Sequence, residues 1–350
     1  MTPQTNRVGF LLFEDCDPLD VTGPAAMFKC AEVQLREDGR ASEPLPEMCY
    51  FSPDGGLVAT CQGFAIQTRS ADEIRSSRLG TLIVSGGYRA DETSDPRLAR
   101  CIRQSYGSIP RIAGVCTGAF VLGRAGLLDG RRAVTHWRDC DALEREFPAA
   151  EVDRDGIFID DGGVWTSAGA TAGIDMALAM IEQDYGHELA HKVAARMVVF
   201  LRRPVGQAQV SMALRSQDVQ GPIGELLKWI VANPHADLRA EALAERVHMS
   251  LRNFYRAFEE ATASSPAEWV EATRLECAKR LLEQTGEYAE QVAVKSGFIT
   301  YERMRRTFFR RVGASPLAYR GRFARSRPVT QFAAPVNPSA INPEASAATS

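Results

Sequence analysis

The last third of the chain, residues 223–325, repeats one pattern twice, and this duplication restricts the possible fold more than any other feature. Each copy contains a short helical segment, a brief turn and a second helical segment in which two large apolar side chains lie four positions apart. Side chains at this spacing share one face of an α-helix. The pattern therefore predicts an all-α region with two helix-turn-helix units.

The first unit covers residues 238–258. Ser250 closes its turn and is placed to cap the second helix through its hydroxyl group. Phe254 and Phe258 are spaced so that both face the core of the unit. The side chains predicted to face outward on this second helix are Arg252, Asn253, Tyr255 and Arg256.

The second unit covers residues 289–308 and follows the same plan. Met304 and Phe308 take the two core positions. The side chains predicted to face outward here are Tyr301, Glu302, Arg303, Arg305 and Arg306. In both units arginine lies near the N-terminal half of the second helix, where it can reach guanine O6 and N7 in the major groove of DNA.

A strong helical segment, residues 266–283, connects the two units. It begins at Pro266, and proline is favoured at the first position of a helix. A stiff connecting helix would fix the distance between the units. Because adjacent major grooves lie about 34 Å apart on one face of B-DNA, we expect one chain to read both.

The charges are distributed unevenly along the chain. Residues 1–222 contain 23 Lys and Arg against 30 Asp and Glu, a net charge of −7, whereas residues 223–325 contain 17 against 13, a net charge of +4. Residues 300–327 contain nine arginines and one acidic residue, Glu302. A solvated helix face would explain mixed charges but not this shortage of acids. The basic segment therefore predicts binding to a polyanion.

The first two thirds of the chain alternate short β-branched runs with helical segments. The predicted strands are 8–13, 49–51, 81–85, 109–115 and 164–167, and the predicted helices are 24–37, 96–106, 119–126, 137–147 and 172–185. Such alternation predicts an α/β domain with a doubly wound, mostly parallel sheet. We expect this domain at 1–205, a linker at 206–222, the all-α tandem helix-turn-helix domain at 223–325 and a disordered tail at 326–350.

One cysteine lies in a pattern that has chemical meaning. Gly114-x-Cys116-x-Gly118 has the spacing of a nucleophile elbow, in which small residues permit a sharp turn between a strand and a helix. A thiol there lies at a helix N-terminus, which favours the thiolate. The amides of Gly86 and Gly87, at the end of another strand, are expected to form an oxyanion site or anion cradle in the same pocket.

Several interpretations of this region stay open. Asp20 follows the first strand, as Gly86 and Cys116 follow two others. The three segments that contain these residues are therefore predicted to meet at the carboxyl ends of the strands, where ligands bind. Cys116 would be a nucleophile, a redox-sensitive thiol, part of a non-catalytic ligand pocket, or only a small residue that the turn requires. Asp20 would attract a cationic ligand, whereas the amide of Gly87 and the helix N-terminus would attract an anion. His136 is the nearest candidate base, although a packing or pocket-lining role is favoured.

Other features exclude broad classes of protein. No apolar run reaches the roughly 18 residues that a membrane-spanning helix needs. The eight cysteines lack regular spacing and are expected to be free thiols in a reducing cytoplasm. Residues 187–191 read His-Glu-Leu-Ala-His, the zincin signature, but a surface helix is the favoured interpretation because no downstream ligand follows. We expect neither a metal nor a cofactor.

The C-terminal region resembles the AraC/XylS family over about 100 residues. The matching residues are Ala244, Ser250, Ser265-Pro266, Gly297-Phe298 and the ending Phe309-x-x-x-Gly313-x-Ser315-Pro316-x-x-Tyr319-Arg320. The resemblance implies base-contacting roles for Arg252, Tyr255, Arg256, Glu302, Arg303 and Arg306. The alternative for each arginine is a phosphate contact or a free surface charge.

Residues 7–204 resemble the PfpI-like, class I glutamine amidotransferase-like superfamily. Asp20 lies where that superfamily usually has an acidic residue, and Cys116-Thr117 matches its isonitrile hydratase branch. The peptidase branch has histidine after the cysteine, so threonine at position 117 argues against a peptidase activity. The resemblance implies a ligand pocket with Asp20, Gly86, Gly87, Cys116, Thr117 and His136.

The order of the two domains, together with residues 116–120, 135–137, 166–169 and 199–204, resembles the GlxA-type transcription regulators across nearly the whole chain. The resemblance implies a cytoplasmic bacterial activator that binds double-stranded promoter DNA as a homodimer, contacts RNA polymerase and responds to a small metabolite. The alternative is an isonitrile-hydratase-like enzyme fused to a DNA-binding domain, with Cys116 as nucleophile and Asp20 as acid–base partner.

Overall fold

The computed structural model describes residues 6–88, 95–199, 209, 211–217 and 219–324. The chain divides into two units, residues 1–220 and residues 221–350. The predicted linker 206–222 contains a short helix, and the first helix of the second unit begins at Gly221. The predicted tail, residues 326–350, lies outside the described residues.

The first unit is built on one large sheet. Its strands are β1 (Arg7–Leu11), β2 (Glu47–Ser52), β3 (Gly56–Ala59), β4 (Ala65–Ser70), β5 (Thr81–Val84), β6 (Arg111–Val115), β7 (Arg132–Ala133), β8 (Glu151–Val152), β9 (Phe158–Asp161) and β10 (Val164–Ser167). Eight of them form a sheet in the order β3-β4-β2-β1-β5-β6-β10-β9, and β7 pairs with β8. The six strands from β4 to β10 run parallel. The predicted mostly parallel sheet is therefore confirmed.

The helices of the first unit cover the sheet. They are α1 (Pro18–Glu37), α2 (Pro96–Ser105), α3 (Gly118–Arg124), α4 (Cys140–Glu146), α5 (Thr171–Tyr185), α6 (His187–Arg196) and α7 (Met212–Arg215). Helices α1, α5 and α6 pack together, and α2 packs with α3. All four side chains of β5 are buried, as a strand covered on both faces requires.

The chain leaves β1 toward β2 on one side of the sheet and later returns to β5 on the other side of β1. The strand order thus reverses between β1 and β5, and ligands of open α/β sheets bind at such a switch point, outside the carboxyl ends of the strands. Asp20, in the first turn of α1, follows β1, and Gly86 lies in the loop after β5. The fold therefore brings together the segments that the sequence singled out.

Helix α1 begins six residues earlier than predicted. The side chain of Asp17 accepts a hydrogen bond of 2.9 Å from the amide of Leu19, and Pro18 occupies the start of the helix. The predicted start at Pro24 is wrong, because Pro24 lies inside the helix and packs against α5 near Gly173.

The sequence did not predict the strands β3, β4 and β9. Strands β3 and β9 pair antiparallel at the two edges of the sheet. Most side chains of β3 and β4 are exposed or half-buried. Strand β4 has only two apolar residues, Ala65 and Ile66, at its start, and β3 is apolar but only four residues long.

The second unit is all α-helical. Its helices are α8 (Gly221–Ala232), α9 (Ala240–Arg246), α10 (Leu251–Thr262), α11 (Pro266–Gln284), α12 (Ala289–Lys295), α13 (Tyr301–Val312) and α14 (Pro316–Ala324). Helices α9 and α10 form the first helix-turn-helix unit, and α12 and α13 form the second, as the sequence predicts. Helix α11 connects them.

Each helix-turn-helix unit has its own aromatic core. Phe254 and Phe258 are fully buried, and the ring of Phe258 meets that of Trp269 of α11 edge to face at 6.2 Å. In the second helix-turn-helix unit Phe308 packs against Tyr319 at 5.6 Å, and Leu275 and Leu282 of α11 are buried in the same core. Side chains of α11 thus contribute to both cores, so the connecting helix is a packed element and not a free spacer.

The helix caps follow the sequence closely. The hydroxyl group of Ser250 accepts a hydrogen bond of 3.4 Å from the amide of Asn253 at the start of α10. Ser265 and Glu268 form a reciprocal capping box at the start of α11. Helix α13 is capped in the same way as α10, by Thr300.

Candidate functional site

The elbow around Cys116 has the backbone that its sequence predicts. Cys116 joins β6 to α3 with φ of +56°, a conformation that non-glycine residues rarely adopt. A Cβ atom on Gly118 would lie 2.6 Å from the carbonyl oxygen of Val84, and one on Gly114 would lie 2.9 Å from the amide nitrogen of Ala119. Glycine is therefore required on both sides of the cysteine, and the strained backbone marks a possible functional site.

Asp20 lies beside this elbow and is fully buried. Its Oδ2 accepts a hydrogen bond of 3.1 Å from the amide of Gly86, and its Oδ1 accepts one of 2.8 Å from the amide of Ala170. Burial raises the pKa of Asp20 to about 7, although the two amide hydrogen bonds act in the opposite direction. The side chain can thus exchange a proton near neutral pH.

The expected anion cradle at Gly86 and Gly87 is not present. The amide of Gly86 donates to Asp20, and the amide of Gly87 donates to Oγ1 of Thr117 over 2.9 Å. Thr117 in turn donates from its hydroxyl group to the carbonyl oxygen of Gly87 over 2.7 Å. Both amides are satisfied inside the protein, so the prediction that they form an oxyanion site is wrong.

Cys116 is held on three sides. Its amide donates to the carbonyl oxygen of Ser167 over 2.9 Å, and its carbonyl oxygen accepts from the hydroxyl group of Thr135 over 2.9 Å. A Cβ atom on Gly169 would lie 2.7 Å from the sulfur atom. Burial and the nearby charge of Asp20 raise the pKa of the Cys116 thiol. Desolvation thus acts against the thiolate that the helix N-terminus is expected to favour.

His136 lies at the edge of this group and is half-exposed. Its Nδ1 accepts a hydrogen bond of 3.4 Å from the amide of Arg138 and lies 3.6 Å from Oδ2 of Asp139. These contacts begin a short helical turn, Trp137–Asp139. They fit the packing role that the sequence favours over the role of catalytic base.

A cavity of about 640 Å³ opens at the same end of the sheet. Phe13 and Glu14 line it from the loop after β1, and Asp54 and Tyr88 line it from the loops after β2 and β5. The guanidinium group of Arg97 binds both oxygens of Asp54 at 2.7 and 3.1 Å. None of these residues was predicted as part of a site, although Glu14, Asp54 and Tyr88 lie just after three predicted strands.

Acidic groups dominate the lining of this cavity. The charged residues that line it are Glu14, Asp15, Asp54, Asp95 and Arg97. Arg97 also binds Asp95, at 2.6 Å, so this guanidinium group, the one cation among the described lining residues, is shared between two carboxylates. The cavity is therefore acidic, with two aromatic side chains, Phe13 and Tyr88, beside it.

The zincin-like pentapeptide begins helix α6. Leu189 and Ala190 are buried, whereas Glu188 is exposed and pairs with Lys192 at 3.1 Å. His187 bonds through Nδ1 to Glu182 at 2.8 Å. Within the described ranges, His, Cys, Asp and Glu side chains form no group of three or more that could hold a metal ion. The pentapeptide thus belongs to a surface helix.

The second helix of a helix-turn-helix unit is called its recognition helix, and in the first unit this is α10. Arg252, Tyr255 and Arg256 are exposed along it, opposite the buried Phe254 and Phe258. Asn253 is exposed as well. The residues that the sequence assigned to DNA contact thus share one solvent-facing surface.

The recognition helix of the second unit is α13, on which Glu302, Arg303 and Arg306 are exposed. Glu302 pairs with Nε of Arg305 at 2.8 Å and with Nε of Arg306 at 3.0 Å. These hydrogen bonds lower the pKa of Glu302 to about 2. The carboxylate therefore stays charged and holds two arginines, while Arg303 projects without an ion pair among those that the described residues show.

The two halves of the chain match two known families of domain. Residues 6–183 match the model of the DJ-1/PfpI family, and residues 243–322 match a helix-turn-helix domain model. The HTH-type transcriptional regulator CdhR of Pseudomonas aeruginosa is 31% identical over 291 residues, which cover 83% of this chain and 86% of the relative. The HTH-type transcriptional regulator GlxA of Rhizobium meliloti is 26% identical over 317 residues, covering 90% and 96%.

The chain belongs to the DJ-1/PfpI family, and within it to the HTH-type transcriptional regulators that join such a domain to an AraC-type helix-turn-helix domain. The resemblance to GlxA-type regulators is thereby confirmed. Isonitrile hydratase of Pseudomonas putida is also similar, with 31% identity over 192 residues that cover 55% of this chain and 77% of the relative. Every helix in the described ranges is too short or too polar to cross a lipid bilayer.

Proposed function

We propose that the tandem helix-turn-helix domain binds a promoter site made of two half-sites and contacts bases with both recognition helices, α10 and α13. The observation that carries this proposal is the equivalent placement of exposed arginines on α10 and α13, opposite two separate buried cores. Arg252, Tyr255 and Arg256 would contact one half-site, and Glu302, Arg303 and Arg306 would contact the other. Binding would position the regulator to contact RNA polymerase as an activator in the cytoplasm.

A selection experiment tests this proposal. The full chain is incubated with duplexes of random sequence at physiological salt, and bound DNA is recovered and sequenced over several rounds. We expect one enriched site with two conserved blocks about one helical turn apart. Recovery of sequences without any shared block would refute sequence-specific binding, because phosphate contacts alone carry no preference among sequences.

We further propose that the first unit binds a small effector in the acidic cavity lined by Glu14 and Asp54. The predicted pocket residues Asp20, Gly86, Gly87, Cys116, Thr117 and His136 are described by the structure but do not line this cavity. The amides of Gly86 and Gly87 are occupied, and this removes the anion site that the sequence left open. Four carboxylates and one arginine line the cavity instead, with Phe13 and Tyr88 beside them. This lining favours a small cation, whose charge the carboxylates would neutralise while the aromatic rings contact its apolar part.

A thermal-shift screen distinguishes effector classes, since a ligand that binds only the native state raises the unfolding temperature. Amines, amino acids, betaines and matched carboxylic acids would be compared. A stabilising cation whose effect disappears in Glu14→Gln and Asp54→Asn supports the assignment. Stabilisation only by anions would refute it.

The effector is proposed to be bound rather than converted. The alternative, an isonitrile-hydratase-like enzyme, needs Cys116 as a nucleophile, yet burial disfavours its thiolate and the neighbouring amides of Gly86 and Gly87 are occupied. Cys116→Ala should therefore keep both effector binding and effector-dependent DNA binding. Turnover of an isonitrile by the wild type, lost in Cys116→Ala, would favour the enzyme.

We also propose that the protein is a homodimer. Light scattering of the full chain tests this proposal by measuring the mass of the particle in solution.

A further inference from the structure

The two helix-turn-helix units meet at a point outside their recognition helices. The loop between α8 and α9 passes beside the middle of α11 and beside the turn between α12 and α13. Arg274 of α11 donates from Nε to the carbonyl oxygen of Pro234 over 3.0 Å and from Nη2 to that of Ala236 over 3.3 Å. The guanidinium group thus holds the loop that leads directly into α9.

The second helix-turn-helix unit touches the same loop through its own turn. Gly297, with φ of +83°, lies so close that a Cβ atom there would be 2.0 Å from the carbonyl oxygen of Pro234 and 2.7 Å from Nε of Arg274. The contact is backbone against backbone, which only glycine permits. Pro234, Arg274 and Gly297 therefore form one three-way junction, which we call the Arg274 junction.

Arg274 is half-buried in this junction rather than free to reach DNA. Its burial, and secondly the nearby charge of Arg303, lower the pKa of its guanidinium group. A planar guanidinium group can hold two carbonyl oxygens at once in a fixed geometry, which the single ammonium group of lysine cannot reproduce. The position of the side chain thus serves to fix backbone segments.

We infer that Arg274 is a positioning residue that sets the spacing between the two recognition helices on DNA. Helix α11 packs into the core of each helix-turn-helix unit and sets the distance between them along its axis. The Arg274 junction adds a second connection away from that axis, because it joins the loop that enters the first helix-turn-helix unit directly to the turn of the second. This inference rests on the proposal that both recognition helices read one site.

The experiment uses the full chain and the bipartite site obtained by selection with the wild type. Duplexes carry the selected spacing or one extra base pair between the blocks, which rotates one block by about 35° relative to the other. The wild type should bind the longer duplex at least about tenfold more weakly. Arg274→Lys and Arg274→Ala should bind the selected spacing about tenfold more weakly and should discriminate between the two duplexes less than about threefold.

Two controls separate positioning from other roles. Arg280→Ala removes a positive charge from an exposed position of the same helix and should keep the wild-type preference for spacing. Arg274→Lys keeps the charge, so its salt dependence should match the wild type. Thermal unfolding identifies a variant that has lost its fold; because Arg274→Lys keeps the aliphatic stem, it provides the decisive comparison if Arg274→Ala unfolds.

The possible failures are distinct. If Arg274→Lys folds and discriminates between the duplexes as strongly as the wild type, the positioning role is refuted while two-site reading stands. If the wild type binds both spacings equally, the inference is also refuted. If selection enriches no bipartite site at all, the proposed function itself has failed.

Discussion

Oδ2 of Asp20 accepts a hydrogen bond of 3.1 Å from the amide of Gly86, and this contact joins the first turn of α1 to the loop after β5 at the switch point of the sheet. In an acyl-transfer enzyme an amide in that place would face the substrate. Here it faces a carboxyl group of the protein. The amides of Gly86 and Gly87, which the sequence offers as an anion site, are therefore used inside the protein.

The first prediction concerns the close approach at Gly86. A Cβ atom there would lie 2.6 Å from Oδ2 of Asp20 and 2.7 Å from Cβ of Cys116. Gly86→Ala should destabilise the first unit by about 3 kcal/mol, because a rigid, packed site cannot make room for the methyl group. Calorimetry of the full chain measures the change. Gly286→Ala, where a Cβ atom would meet nothing within 4 Å, should stay within about 0.5 kcal/mol of the wild type.

The second prediction concerns the pH dependence of stability. The pKa of Asp20 is about 7 in the folded chain, whereas 3.8 is the ordinary value of an aspartate and applies to the unfolded chain. Between these values the folded chain binds a proton that the unfolded chain does not, so this group makes stability fall as pH rises from about 4 to 7. The wild type should lose up to about 4 kcal/mol relative to Asp20→Asn over that range. A constant difference between the two proteins from pH 4 to pH 8 would contradict the assignment.

The third prediction concerns the reactivity of Cys116. Because burial and Asp20 raise the pKa of its thiol, it should react with iodoacetamide at pH 7.5 at least about tenfold more slowly than in the urea-unfolded chain. Peptide mass spectrometry follows each cysteine separately, with the exposed Cys61 as an internal comparison. Labelling of Cys116 as fast as in the unfolded chain would instead support the redox-sensor hypothesis.

The fourth prediction concerns base contacts. Arg252→Ala and Arg303→Ala should each weaken binding to the selected site by about 5- to 100-fold, because a guanidinium–guanine contact contributes about 1–3 kcal/mol of discrimination. Fluorescence anisotropy with selected and scrambled duplexes gives both affinities. Arg145→Ala, which removes an exposed charge from α4, is the charge control. An equal loss on both duplexes would assign these arginines to phosphate contacts.

The fifth prediction concerns Glu302, which holds Arg305 and Arg306 in two ion pairs. Glu302→Ala removes a negative charge from the proposed DNA surface and frees two arginines for phosphates. Binding to scrambled DNA should strengthen, and the slope of log affinity against log salt should become steeper by about 1 for each freed arginine that contacts a phosphate, or about 2 in all. A weaker affinity for every duplex would show that the ion pairs position the arginines productively.

Local features of the chain were predictable from its sequence. The caps at Ser250 and Ser265, the buried pair Phe254 and Phe258, and the elbow at Cys116 each depend on residues within a few positions of one another. Helix periodicity and turn chemistry operate over that distance. The edge strands β3 and β9 were missed because each has only four residues and its pairing with a neighbouring strand in the sheet defines it as a strand.

The sequence by itself therefore determined the two domain types, the duplicated helix-turn-helix and the position of the elbow. Only the tertiary structure decided how these parts are used. Asp20 bonds to Ala170, 150 positions away, and Gly297 fits against Pro234 and Arg274. Whether an amide is free or occupied, and whether a thiol is solvated, depends on such distant neighbours, because burial and hydrogen bonding are properties of the packed chain and not of a local pattern.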